Sequence, residues 1–454
     1  MHRVGSLGFL LLHLFLFPFC EPGIAHAVFD FEALSAAESC LNESSLPGRA
    51  HVLSIADFGA VGDGVTLNTR AFHDAVNQLA SIHASLGGGT QLIIPPGRWL
   101  TGSFNLTSHF TLYLQKGAVL LASQVMQDWP VIDPLPSYGR GRERLGGRYI
   151  SFIYGLELVD VIITGERGTI DGQGAPWWES WYNRTLMYTR GHLLEFVSSK
   201  KIIITNVVLQ NSPFWTVHPV YCEDVIVKGV SIFAPQSAPN TDGIDPDSCT
   251  NVCIEDCYIE NGDDLVSIKS GWDEYGIAVG LPSAGIIVRR VTGTTPFSGI
   301  SIGSEMSGGV KNVFVKDVNI IDSGTGIRIK AAPGRGGYIK NVTFVDITMA
   351  KMLKAIDITM DAGEHPDDNF DPNALPIVRG LYFDNILGQN ITSAGRFLGL
   401  KESPLQDLCM SRIALNLSSP GSWYCSYLEG EASSVDPLVC PNFQNSNGAD
   451  CRVR

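Results

Sequence analysis

Val225-Ile226-Val227-Lys228-Gly229 is followed by Val252-Cys253-Ile254-Glu255-Asp256, and the pair decides how the chain folds. Each is a short β-branched run that ends in a polar or glycine turn. The same phrase occurs at Val161-Ile162-Ile163-Thr164-Gly165 and at Ile202-Ile203-Ile204-Thr205-Asn206. It returns at Ile286-Ile287-Val288-Arg289-Arg290, Val313-Phe314-Val315-Lys316-Asp317 and Val342-Thr343-Phe344-Val345-Asp346. Period-2 alternation over four to six residues is a strand signal. A unit that recurs roughly every 25 residues and is mostly strand and turn describes one coil of a solenoid. A doubly wound α/β fold needs helical patterns between its strands, and they are missing here. A β-propeller repeats at about 40–45 residues, longer than this unit. The expected fold is all-β, a single-stranded parallel β-helix, with a helix near Thr69–Ser85 capping its N-terminal end.

The remainder of the chain divides around that solenoid. Residues 1–27 read as a secretory signal peptide: His2 and Arg3 precede an apolar run from Leu7 to Cys20, and Ala25-His26-Ala27 supplies a small-x-small cleavage site. The run is shorter than the ~20 residues that span a bilayer, and Pro18 interrupts it. Residues 28–408 form the expected β-helix catalytic domain, and 409–454 a disulfide-stapled C-terminal tail. Six Asn-x-Ser/Thr sequons, at Asn42, Asn105, Asn183, Asn341, Asn390 and Asn416, fit a secreted glycoprotein and belong on its surface. Cys409, Cys425, Cys440 and Cys451 read as two local disulfides of an oxidising compartment. Cys249, Cys253 and Cys257 lack a fourth ligand at metal spacing and read as paired or buried core cysteines. No metal and no cofactor is expected.

A formal charge of −14 argues against a nucleic-acid partner. It also sits awkwardly with an acidic substrate unless positive charge is concentrated locally.

Three segments carry polar residues that break the strand pattern: Asn240-Thr241-Asp242-Gly243-Ile244-Asp245, Asn261-Gly262-Asp263-Asp264 and Gly326-Ile327-Arg328-Ile329-Lys330. Successive coils of a β-helix lie one strand spacing apart, ~4.8 Å. Residues one coil apart therefore stack, and the intervals from Asp242 to Asp263, from Asp264 to Ser298 and from Ser298 to Arg328 are each near one coil. An Asp-Asp pair alone is usually a solvated turn, and Arg-Ile-Lys alone an exposed strand face. Their common register instead gathers three carboxylates and two cations into one groove. Grouped carboxylates are the tools of glycoside hydrolysis, where one gives a proton and another activates water. Crowding like charges raises the pKa of one member and keeps an acid available. Arg328 and Lys330, outward when the isoleucines point inward, are suited to a substrate carboxylate. Arg140, Arg142, Arg144 and Arg148 either add to that field or form a plain solvated loop. Trp177, Trp178 and Trp181 are packing residues or a platform for sugar rings.

Asn-Thr-Asp at 240–242, Gly-Asp-Asp at 262–264 and Arg-Ile-Lys at 328–330 together resemble the ordered motifs of glycoside hydrolase family 28, the polygalacturonases. Ile55-Ala56-Asp57-Phe58-Gly59-Ala60 resembles the start of pectin-degrading β-helix enzymes, and Ser304–Gly309 and Pro333–Tyr338 resemble a plant-type branch. The resemblance implies a right-handed β-helix that hydrolyses α-1,4-galacturonosyl linkages of pectin with inversion in the extracellular cell wall. It implies Asp263 as general acid, Asp242 and Asp264 as activators of water, and Asn240, Ser298, Arg328 and Lys330 as substrate contacts. The expected partner is an acidic polysaccharide met by a monomer, with no membrane after signal cleavage. One motif departs from the family: Gly-His-Gly is replaced by Phe297-Ser298-Gly299, and serine carries no charge near neutrality. The alternatives are the same chemistry on rhamnogalacturonan or a substituted galacturonan, and a catalytically weak pectin-binding β-helix.

Overall fold

The computed structural model describes residues 39–41, 46–419, 421–445 and 451. The expected signal segment and the sequon at Asn42 lie outside the described residues. Among these residues every strand pair but one is parallel, the exception being Val131–Ile132 with Arg148–Tyr149. The fold is a right-handed parallel β-helix.

The repeats picked out in the sequence form one face of it, in register. Val161 pairs with Ile202, Ile202 with Val225, Val225 with Val252 and Val252 with Ile286. The ladder continues through Val313, Val342, Leu381 and Leu408. All nine side chains are buried. Each fully buried Val, Leu or Ile is worth roughly 1.5–3 kcal/mol, so a slip that turned this row outward would cost more than a domain's net stability.

The corner just before this row explains the turn chemistry. Asp160, Asp224, Asn251, Asn312, Asn341 and Asp407 occupy it with positive φ, as do Gly285 and Gly380. Asn and Asp tolerate the left-handed region and glycine enters it freely. Their amides also bond from coil to coil, Asn341 to Asn312 at 2.9 Å and Asn251 to Asp224 at 3.2 Å.

The site lies on another face. There Ile153, Leu194, Val217, Ile244, Val266, Ile300, Ile327 and Ile356 stack inward in one column. Whatever alternates with that column points outward over the same surface.

Helix α1 (Thr69–Leu86) packs Phe72, Ala75, Val76 and Leu79 onto the first coils, with Phe72 4.8 Å from Phe104. It matches the helix expected there. The boundary expected at residue 409 does not interrupt the stack. Leu405–Leu417 pairs with Ile377–Leu398, Leu428–Asp436 with Leu405–Leu417, and Phe443–Asn445 with Leu428–Asp436. Alternating buried positions carry the solenoid on through this region, and Cys409–Cys451 and Cys425–Cys440 staple its last coils. Cys253 pairs with Cys40, while Cys222, Cys249 and Cys257 are buried free thiols. The five described sequon asparagines are all exposed.

Candidate active site

Asp242 and Asp263-Asp264 sit in the turns leading into neighbouring strands of the site face. Asn261 ties those turns together, its amide donating to the carbonyls of Thr241 at 2.8 Å and Asp264 at 3.0 Å. As a result oxygens of Asp242, Asp263 and Asp264 lie within 4.8 Å of one another. The turn at Asn261-Gly262 thus brings both adjacent aspartates to the same site.

Their surroundings differ, and so do their protonation preferences. Burial raises the Asp263 carboxyl well above the usual range, and the charges of Asp242 and Asp264 push it further. Burial would raise Asp264 as well, but the Lys330 ammonium outweighs it and holds Asp264 low. Lys330 Nζ lies 2.9 Å from Asp264 Oδ2, and the backbone N–H of Ser298 donates to Oδ1 at 3.0 Å. Burial raises Asp242 too, opposed by Lys269. The environment therefore favours the proton on Asp263 and the charge on Asp264.

Lys269 was not singled out in the sequence. It is buried, 3.6 Å from both Asp242 and Asp245 and 3.5 Å from Glu305, with its ammonium 4.3 Å from the Trp215 ring centre. Burial would lower its pKa, and the surrounding acids raise it instead. Asp245, buried beside Asp242, is pushed well up by burial and by that neighbour. The available signal was register, since Lys269 stacks directly on Asp247 and shares the outward parity of Ser267. The three aspartate oxygens are close enough to share a cation, but Lys269 and Lys330 already face them with fixed positive charge.

Arg328 and Lys330 both line the cleft, as their strand parity requires. The buried Nε of Arg328 has no hydrogen-bond partner among the described residues. Asn240 also lines the cleft. Its amide donates to Asp263 over a long 3.4 Å, and its oxygen accepts from Arg190 at 2.9 Å. Ser298 does not line it. Its backbone N–H donates to Asp264 from beneath the site, and its buried side chain adds to the groups that hold that carboxyl low. The exposed ring of Phe297 takes the place at the rim. Of the three tryptophans, Trp181 borders the cleft, Trp177 is core, packed on Trp129, and Trp178 donates to the Ser212 carbonyl. Of the four loop arginines, Arg140, Arg142 and Arg144 border the cleft. Arg148 is buried against Glu195 at 2.7 Å and is neither solvated nor part of the field.

The cleft measures about 880 Å³, room for more than one sugar unit. A carboxyl pushed up beside one held low, in a cleft that an unpaired guanidinium also lines, suits a glycoside hydrolase for anionic sugars. The model of glycosyl hydrolases family 28 matches residues 145–434. A protein of Vitis vinifera described as "Probable polygalacturonase" is 50% identical over 88% of this chain and 82% of its own. Among solved structures, the exopolygalacturonase of Thermotoga maritima superposes with a TM-score of 0.73 at 28% identity, covering 86% of this chain and 92% of that one. The polygalacturonase of Erwinia carotovora shares the fold, with a TM-score of 0.67 at 24% identity over 87% of this chain and 99% of that one. The chain belongs to glycosyl hydrolases family 28, and is a glycoside hydrolase.

Proposed function

We propose that the protein hydrolyses α-1,4-galacturonosyl linkages of pectic polygalacturonan, with Asp263 as general acid and Asp242 and Asp264 as the bases that activate water. The observation that carries the reading is the split within the aspartate cluster, placed beside an unpaired Arg328. A proton held on Asp263 is available to the leaving glycosidic oxygen. The charge that Lys330 keeps on Asp264 is available to take a proton from the attacking water. Arg328 offers the fork that matches a carboxylate bidentately, and so selects a uronate over a neutral hexose. The relatives named above are described as polygalacturonases, which agrees with this substrate. Local cations also resolve the charge puzzle, because a polyanion meets Arg140, Arg142, Arg144, Arg328 and Lys330 in the cleft and not the net −14.

Inversion is part of the proposal and rests on family membership. The carboxylate oxygens here are closer than the ~6.5–9.5 Å between carboxyl groups that is usual for inverting enzymes. The enzyme is read as a secreted monomer of the cell wall, its first 27 residues removed on export. The three disulfides among the described residues suit an oxidising compartment, and no described helix is long and apolar enough to cross a membrane.

Digestion of polygalacturonate followed by proton magnetic resonance tests substrate and stereochemistry together. The β-anomer of the new reducing end appearing first supports the proposal. Unsaturated ends, or no release from polygalacturonate with release from rhamnogalacturonan, would overturn it.

A further inference from the structure

We infer that the cleft is blind at its N-terminal end and that the enzyme therefore works from a chain terminus, releasing the end sugar and not cutting internally. This deepens the proposed galacturonan hydrolysis and rests on it. The segment from Asp133 to Gly147 leaves the solenoid at the two-stranded ribbon Val131–Ile132 with Arg148–Tyr149. It then crosses the outward surface of the site face. On the near side of the groove Glu143 pairs with Arg190 at 2.6 Å. On the far side Ser137 accepts from the Trp272 backbone N–H at 2.9 Å, and the Tyr138 hydroxyl donates to Asp247 at 2.6 Å. The crossing's buried residues Leu135 and Tyr138 cluster with Tyr154, Val197 and Val220, one from each of the strands Ile153–Leu156, Leu194–Val197 and Val217–Val220, directly before the coils that carry the aspartates.

The crossing is a fixed wall. Leu135 and Tyr138 are buried in a hydrophobic cluster of their own, separate from the solenoid interior, with Tyr154, Val197, Trp215 and Trp272. A second loop, which leaves the solenoid after the later strand Tyr338–Thr359, docks against the crossing. Arg140 donates to the Pro366 carbonyl at 2.6 Å, and Arg142, stacked 4.1 Å over Trp272, pairs with Glu364 at 2.9 Å. A polymer running along the groove meets this barrier next to the catalytic carboxylates, so only a terminus reaches the end position.

The wall also presents charge to that terminus. Arg140 and Arg144 line the cleft there and make their hydrogen bonds to backbone carbonyls, not to carboxylates. Their positive charge is available to the carboxylate of the end sugar.

The test uses the intact enzyme on polygalacturonate and on a galacturonate hexamer. The expected first product is the monomer, with solution viscosity falling slowly as reducing ends accumulate. A ladder of mid-length oligomers with an early collapse of viscosity would overturn the inference and leave the hydrolase reading standing. No hydrolysis of either substrate would remove both. Arg144→Ala gives a second readout, because every productive complex of a blind cleft uses the end position. Its KM should rise about tenfold or more, and equally for hexamer and polymer. A penalty that disappears on the polymer, where an open groove lets the chain bind in shifted registers, would contradict a blind end.

Discussion

Lys330 donates to Asp264 from 66 residues further along the chain, at 2.9 Å, and this contact separates two aspartates that are adjacent in sequence. Asp263 lacks such a partner and takes up a proton; Asp264 has it and stays ionised. Two residues with the same side chain thereby acquire opposite tasks.

That division fixes a pH profile. Activity needs Asp264 ionised, so it is lost as pH falls through a pKa that Lys330 holds low. It also needs Asp263 protonated, so it is lost as pH rises through a pKa that burial and neighbouring charge hold high. Lys330→Met releases Asp264 upward, and the acid limb of kcat/KM should move to higher pH while the alkaline limb shifts less. An unchanged acid limb would show that Lys330 does not control the base.

The serine that replaces the family's histidine should act through Asp264 and have a small effect. Asp264 receives the backbone N–H of residue 298 at 3.0 Å, and the Ser298 side chain adds to the groups that hold its carboxyl low. Ser298→Ala keeps the backbone donor and loses only the side chain's share, about 0.5–1.5 kcal/mol for one hydrogen bond. It should therefore move the acid limb of kcat/KM slightly to higher pH and leave KM near its original value, measured as reducing-end release. A large rise in KM would mean that the hydroxyl reaches the substrate.

Lys269 should matter for stability as much as for rate. Its ammonium is the cation shared by Asp242, Asp245 and Glu305. Lys269→Met leaves buried acids without it, a loss of the kind that costs ~3–5 kcal/mol. The sign with pH follows from the raised carboxyl pKa values of the variant: the penalty is full at neutral pH and shrinks as the acids take up protons. Denaturant unfolding at pH 7 and pH 4 should show a wide gap from the parent at the first and a narrower one at the second. Equal gaps would assign Lys269 a packing role only.

How much of this was legible in the sequence depends on the range of the interactions. Val161, Ile202, Val225, Val252, Ile286, Val313 and Val342 opened the strands read from the sequence, and each is the direct register partner of the next. The β-branched run and its turn are local signals, and the coil repeat converts them into position. Asp242, Asp263, Asp264, Arg328 and Lys330 were placed by the same arithmetic. Lys269 obeyed it as well, but a lysine between Ile268 and Ser270 looks like any exposed strand residue until its partners are known. Ser298 was read as a substrate contact from its place in the motif, while its backbone N–H serves Asp264, a bond that no side-chain pattern announces. The wall from Asp133 to Gly147 had no periodic signal. Its anchors, Tyr138 on Asp247 and Arg140 on Pro366, join residues 109 and 226 positions apart. The tail expected from Cys409 was read from its cysteines, which overshadowed the strand alternation of Leu408 with Met410 and of Ile413 with Leu415.

The most direct test of the central claim is reducing-end release from polygalacturonate by the parent enzyme and by Asp263→Asn, with binding of a galacturonate oligomer measured alongside. The asparagine keeps the shape and loses the transferable proton, so turnover should fall by ~10²–10⁴-fold while oligomer affinity stays within a few-fold of the parent. Near-parental turnover in Asp263→Asn would contradict the assignment of the acid, and with it the account of how this cleft cuts its substrate.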